Sequence, residues 1–417
     1  MLIRRELYLD QLRPYMGVPL IKVLTGVRRC GKSSLLKIIE SELIEAGTNP
    51  SAIMFESFEL YGENEINADE LMAKARKYMD KFEMVYLFFD EVQLVEGWER
   101  VVNACLALGK AEIFITGSNS EMLSSELATL LSGRYVEIEV RPLSLLEYID
   151  FSKKLPQAVS ADSHDGTKVD DSEKGELAQF MRFGGFPIIH YLNPRSEDVA
   201  YRTLRDIYST VVIQDVVKRN NIRNIDSLER IIRFLMDNVG SLMSARKIAS
   251  YFKSQNRKVS VDTVLDYAKA LESAYIFEKA RRFDLRGKRH LDVREKYYCV
   301  DVGMVNALLG YSDTRLPGMI ENILFLEFKR RGYEVFIGEF DGKEIDFVCQ
   351  KEGKQFYVQA TTVLTGNDNA IEREFGNLLQ ITDQYPKYVV SIDQQWSSDI
   401  DGVMHYHLEH FLRSDIY

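Results

Sequence analysis

Eight consecutive residues near the start of the chain carry dense chemistry: Gly26, Val27, Arg28, Arg29, Cys30, Gly31, Lys32 and Ser33, with Ser34 behind them. Glycines at the first and sixth places let backbone N–H groups approach phosphate oxygens, and a helix beginning at the loop's end adds partial positive charge. The Lys32 ammonium is then placed to reach β- and γ-phosphates, and the Ser33 hydroxyl to ligate Mg2+. A second group is the pair Asp90-Glu91, closing the apolar run "MVYLFF". Asp90 suits a Mg2+ held through water, and Glu91 suits a general base that polarises an attacking water. "AEIFITGSNS" ends in Ser118 and Asn119, polar groups that fall beside a γ-phosphate if this strand neighbours the loop strand.

These residues need a scaffold. "IKVLT" before the loop reads as a β-branched strand and "KSSLL" after it as a helix, the context the phosphate-binding motif requires. One strand ("AIMFESF") intervenes before the acidic pair, and strand ends are where ligands bind in open α/β sheets. An ATP site using Mg2+ is the expectation.

At 417 residues the chain is too long for one core, and two to three domains are expected. No run of about 18 apolar residues predicts a transmembrane helix, and the charged start lacks the apolar core of a secretory signal. Four cysteines without a CxxC pair suggest neither a disulfide framework nor a zinc site, so a cytoplasmic protein is expected. A net charge of −10 argues against a wholly basic nucleic-acid coat but leaves a local patch open.

Further along, "QAVSADSHDGTKVDDSEKGE" is polar and acidic, a surface loop within a helical stretch. "LERIIRFLMDNVG", "SARKIASYF" and "SVDTVLDYAKALESAY" read as three short helices, followed by a hairpin with a basic tip. That order is the pattern of a winged helix. Arg281, Arg282, Arg286, Lys288 and Arg289 at the tip are candidates for neutralising DNA phosphates. Against this, the third helix carries Asp262, Asp266 and Glu272 against Lys269, and basic hairpin tips are often only solvated.

The stretches "GVRRCGKSSLL", "FFDEVQLVEGWE", "ITGSNS", "LSGRYVEIEVRPLS", "GGFP" and "EIDFV" together resemble an AAA-like P-loop ATPase family of bacteria and archaea with a C-terminal domain of unknown function. The resemblance implies a sensor role for Asn119 and an arginine finger at Arg134, with Arg141 a second candidate and a surface arginine the plain alternative. A finger acting on a neighbouring copy implies a homo-oligomer. From residue 318 the order helix, three strands, helix, strand resembles the restriction-endonuclease-like fold. Carried over, Glu321 matches the helix acid and Asp346 the strand aspartate of a nuclease. Gln359 falls where a glutamate belongs, and Thr361 where a lysine belongs, so a degenerate nuclease site is expected.

The reading is an α/β multidomain protein: an ATPase core over 1–150, a helical lid over 151–225, a winged-helix-like domain over 226–312 and a degenerate restriction-endonuclease-like domain over 313–417. Its function is Mg2+-dependent ATP hydrolysis coupled to conformational change, with DNA as a candidate partner. The alternatives are a slow nucleotide-gated module with a protein partner, and an ATP-dependent nuclease.

Overall fold

The computed structural model describes residues 2–60, 66–120, 133–155, 175–192, 196–287 and 289–417. The chain divides into two compact units, Met1–Arg141 with Ser273–Tyr275, and Pro142–Glu272 with Ile276–Tyr417. The first border thus falls at 141/142, short of the 150 read from sequence. Val140 N still bonds Thr25 O at 2.8 Å, whereas Ser144 already caps the next helix in a reciprocal pair with Glu147.

In the first unit, β1 (Ile21–Thr25), β2 (Ile53–Ser57), β3 (Val85–Asp90), β4 (Ala111–Gly117) and β5 (Tyr135–Glu139) form a sheet ordered β2-β3-β4-β1-β5. All its pairings are parallel. Parallel sheets are covered on both faces, which is why the inner strands β1, β3 and β4 read as mostly apolar runs instead of alternating. β1 is buried at every position. The described helices are α1 (Glu6–Leu12), α2 (Lys32–Glu45), α3 (Ala68–Lys81) and α4 (Trp98–Ala107). Leu71 of α3 and Trp98 of α4 join Val23, Leu87 and Ile113 in one core. With β4 between β1 and β3, the C-terminal ends of three strands stand side by side.

The second unit begins with α5 (Leu145–Lys154), α6 (Glu176–Phe183) and α7 (Glu197–Val211), followed by α8 (Ile225–Asp237), α9 (Ala245–Ser254) and α10 (Val261–Ser273). A hairpin follows, β6 (Phe277–Asp284) and β7 (Arg289–Cys299), and then α11 (Val302–Leu309) and α12 (Leu316–Arg330). β8 (Glu334–Phe340), β9 (Lys343–Lys351) and β10 (Lys354–Ala360) precede α13 (Asp368–Leu379), β11 (Lys387–Ser391), β12 (Met404–His407) and α14 (Leu408–Arg413). One seven-stranded sheet, ordered β12-β11-β10-β9-β8-β6-β7, collects every strand of the unit. Three helices and a hairpin do follow one another as read. The hairpin, however, also pairs through β6 with β8 in parallel, so the sheet runs across the boundary expected at 312.

"GGFP" has a local cause. Gly184 lies at φ +72°, and a Cβ there would stand 2.1 Å from the Asp301 carboxylate. That carboxylate caps α11 and accepts from Gly185 N at 2.6 Å. Burial pushes Asp301 up to about 6.

Candidate functional site

The loop between β1 and α2 is built by its glycines. Gly26 has φ +134°, and a Cβ on it would meet Val140 O at 2.1 Å; only glycine lets β5's continuation pass so close. Gly31 at φ +109° turns the chain into α2, whose first residue is Lys32. Lys32 is 3% exposed, and its Nζ donates to Gly26 O at 2.9 Å and Val27 O at 3.1 Å. The ammonium therefore lies within the loop, on the side a phosphate would take.

Asp90 is the hub of the hydroxyls around it. Ser33 Oγ donates to it at 2.8 Å, Thr116 Oγ1 at 2.7 Å and Ser57 Oγ at 3.1 Å. Each donor comes from a different element: α2, β4 and β2. Ser33 beside a buried carboxylate is a donor set of hard oxygens that suits Mg2+. The residues present thus fit both a nucleotide phosphate and its metal.

Glu91 sits in the left-handed region at φ +56°, its N–H bonded to Thr116 Oγ1 at 2.8 Å. Its carboxylate meets Lys32 Nζ at 3.4 Å and accepts from Gln93 Nε2 at 2.5 Å. Burial would raise the Glu91 carboxyl, but the charges of Lys32 and Arg28 outweigh it and hold it below the ordinary value. Burial likewise opposes the charge on Lys32, and Glu91 outweighs it, so Lys32 is raised. Ser118 and Asn119 are buried just past β4. Gln93 Nε2 also lies 3.4 Å from Ser118 Oγ, which ties the acidic strand to the polar-tipped one.

Thr116, Ser57 and Gln93 are missing from the sequence reading. Gln93 has a signal, since it stands two residues from Glu91 in a turn; the two hydroxyls depend on strand order. Arg134 is not brought to this site. It is exposed at the N-terminal end of β5, its carbonyl bonded by Ile21 N, while the phosphate loop leaves the opposite end of β1. Five residues of strand separate those ends by roughly 16 Å. Arg141, at the loop end of β5, is buried and pairs with Glu139 at 2.8 Å.

The basic hairpin carries its own neutralisation. Arg282 pairs with Glu339, Arg286 with Asp341 at 2.5 Å, and Lys279 with Glu272 and Glu295 at 3.5 and 3.6 Å. Arg281 is exposed. Lys288, the side chain of Arg289 and the acidic stretch 156–174 lie outside the described residues.

Glu321, Asp346 and Gln359 do converge in the second unit, on α12, β9 and β10. Asp346 N donates to Gln359 Oε1 at 2.6 Å, and Ala360 N donates to Asp346 Oδ2 at 2.9 Å. Three residues that sequence reasoning missed, Lys296, Glu344 and Glu374, complete the group. Lys296 of β7 is 1% exposed and places Nζ 2.7 Å from Glu321, 2.7 Å from Glu344 and 3.2 Å from Asp346. Glu374 of α13 accepts from Gln359 Nε2 at 2.9 Å. These carboxylates open on a cavity of about 650 Å3. Burial, only partly offset by Lys296, pushes Glu321 up to about 8; burial and the nearby Asp346 push Glu374 up to about 7. Among the described residues no three ligating side chains are grouped to hold a metal ion. The ammonium of Lys296 stands between the carboxylates instead.

Residues 19–149 match the family described as AAA domain, and residues 174–315 match a domain of unknown function (DUF8612). An uncharacterized protein of Haemophilus influenzae is 36% identical over 406 residues, covering 96% of each chain. The chain belongs to the same family. Uncharacterized protein MJ1544 of Methanocaldococcus jannaschii is 31% identical, over 80% of this chain and 73% of that one. Among solved structures, the Walker-type ATPase PABY2304 of Pyrococcus abyssi aligns at 17% identity and a TM-score of 0.47, over 74% of this chain and 96% of that one. Most of the first unit of this family member, from residue 19 on, lies within the match to the AAA domain. No helix among the described residues is long and apolar enough to cross a membrane.

Proposed function

We propose that the protein is a Mg2+-dependent ATPase that couples hydrolysis to conformational change, with DNA as its partner. The observation that carries this is the convergence of Lys32, Ser33, Asp90 and Glu91 at the ends of adjacent strands. A Mg2+ held by Ser33 and Asp90 would neutralise phosphate charge. Lys32 would exchange the Gly26 and Val27 carbonyls for phosphate oxygens, loosening its pairing with Glu91. Glu91, ionised at neutral pH, would then take a proton from the water that attacks the γ-phosphorus as the bond to the bridging oxygen breaks. Ser118 and Asn119 would hold the γ-phosphate or that water. Arg134 is too far along β5 to act on its own nucleotide, so a finger role for it requires a homo-oligomer in which it serves a neighbouring copy.

The test is phosphate release from Mg-ATP by the purified chain, with and without DNA. Lys32→Ala should abolish it; absence of release from the unaltered chain under both conditions refutes the hydrolytic role. The polar pocket of the second unit we read as a retired nuclease site, closed by its own cation. Incubation of plasmid with Mg2+ or Mn2+ and ATP should leave it intact. Cleavage lost on Asp346→Ala would overturn that reading.

A further inference from the structure

A groove of about 600 Å3 runs over α8 and α9, lined by Arg230, Arg233, Phe234, Tyr251, Arg257 and Arg315, among others. Four arginines and one acid, Asp237, line it, and the segment that supplies Tyr251 and Arg257 is basic. From 238 to 261 there are five basic residues and no acidic one, in a protein of net charge −10. All five, Arg246, Lys247, Lys253, Arg257 and Lys258, are exposed. Inside the groove Tyr251 is 46% exposed and lies against Phe234 with ring centroids 4.6 Å apart. Phe252 backs both rings.

Two of the four arginines around these rings, Arg230 and Arg257, are weakly committed, while Arg233 Nη1 donates to Leu308 O at 3.0 Å. Arg230 and Arg257 share Asp226, at 3.0 and 2.9 Å, and all three side chains are more than 40% exposed. Such exposed pairs are worth little and give way to a phosphate. Arg315 is mostly buried, donates to Gly310 O and pairs with Asp237 at 3.4 Å, while its Nε is buried with no hydrogen-bond partner. A ring with an open face surrounded by guanidinium groups suits a ligand that offers flat bases and phosphates together. A duplex shows phosphates but keeps its base faces stacked, and an acidic peptide has no use for the rings.

We propose that this groove binds single-stranded nucleic acid, with Tyr251 on Phe234 as the base platform and Arg230, Arg233, Arg257 and Arg315 as phosphate contacts. The inference gives the nucleic-acid partner of the proposed function an address on the surface, and it is independent of hydrolysis. It also moves the contact away from the hairpin, where Arg282 and Arg286 are already paired.

The test is fluorescence anisotropy of the full chain, free of ATP, with a labelled oligothymidylate of about 12 nucleotides and a duplex of equal length. The single strand should bind more tightly, and its affinity should fall with salt at a slope of about −0.7 per phosphate contact. Arg257→Ala and Arg230→Ala should each flatten that slope by about 0.7. Tyr251→Ala should weaken binding roughly 5- to 150-fold, while Tyr251→Phe binds as the unaltered chain does. Arg281→Ala on the hairpin should change nothing. The groove variants should keep the unstimulated ATPase rate and the Trp396 urea transition of the unaltered chain, which together report that both units are folded. No binding at low salt, tighter binding of duplex, unchanged binding by Tyr251→Ala and Arg257→Ala, or equal competition by AMP would each overturn the proposal.

Discussion

Lys296 brings one positive charge to three carboxylates, and burial favours a proton on one of them. Glu321 is the candidate: burial pushes it to about 8, against an ordinary 4.5. A carboxyl raised on folding contributes stability that is fully present below its unfolded value and lost as pH rises toward its folded one. The loss runs at ~1.4 kcal/mol per pH unit, which gives up to roughly 3.5 kcal/mol between pH 5 and pH 8. Glu321→Gln keeps the shape of the protonated acid and removes the titration. The variant should match the unaltered chain at pH 5 and exceed it increasingly toward pH 8. The two tryptophans offer a clean reporter, since Trp98 lies in the core of the first unit and Trp396 packs on Phe375 in the second. In a Trp98→Phe background, urea titrations followed by Trp396 fluorescence read the second unit. Equal pH slopes for Glu321→Gln and its parent would refute the assignment of the proton to Glu321.

Two further outcomes follow from the first unit. Glu91→Gln should still bind ATP, seen as a thermal shift, yet lose about 10²-fold or more in phosphate release, because the amide cannot accept the proton of water. Gly26→Ala places a methyl 2.1 Å from Val140 O at a φ that side chains avoid, so it should lose the thermal shift with ATP as well as the activity.

The nucleotide site is largely legible in the sequence because its parts are local or end their strands. Loop glycines, Lys32 and Ser33 lie within eight residues, and the acidic pair closes an apolar run. What is not legible there is what strand order decides. Thr116 reaches Asp90 only because β4 lies between β1 and β3, and Arg134 is distant only because β5 runs parallel to β1. What the C-terminal reading leaves out has the same cause. A missing lysine at 361 is a statement about a linear pattern, whereas the carboxylates respond to any ammonium beside them. Lys296 is 25 residues from Glu321 and 50 from Asp346, inside a stretch that reads only as the return strand of a hairpin. The pairing of β6 with both β7 and β8 joins that hairpin to the sheet that carries Asp346.

Gln359 then looks less like a loss than like a requirement of its neighbours. Its amide donates to Glu374 and accepts from Asp346 N, a bridge that a carboxylate cannot make. Gln359→Glu would restore the nuclease pattern on paper. In the fold it would set a second carboxylate 2.9 Å from Glu374, which already titrates near 7. Two carboxylates that share one site cannot both ionise cheaply, so one would retain a proton to still higher pH. The variant should therefore resemble the unaltered chain near pH 5 and lose stability as pH rises to 8, by up to ~1.4 kcal/mol for each unit of added shift. Added Mn2+ should recover part of that loss only if the new carboxylate assembles a site that Lys296 does not fill. The same Trp396 titration measures both. A variant as stable as its parent at pH 8 would mean that Gln359 is not held in place by Glu374, and that the glutamine is an ordinary replacement.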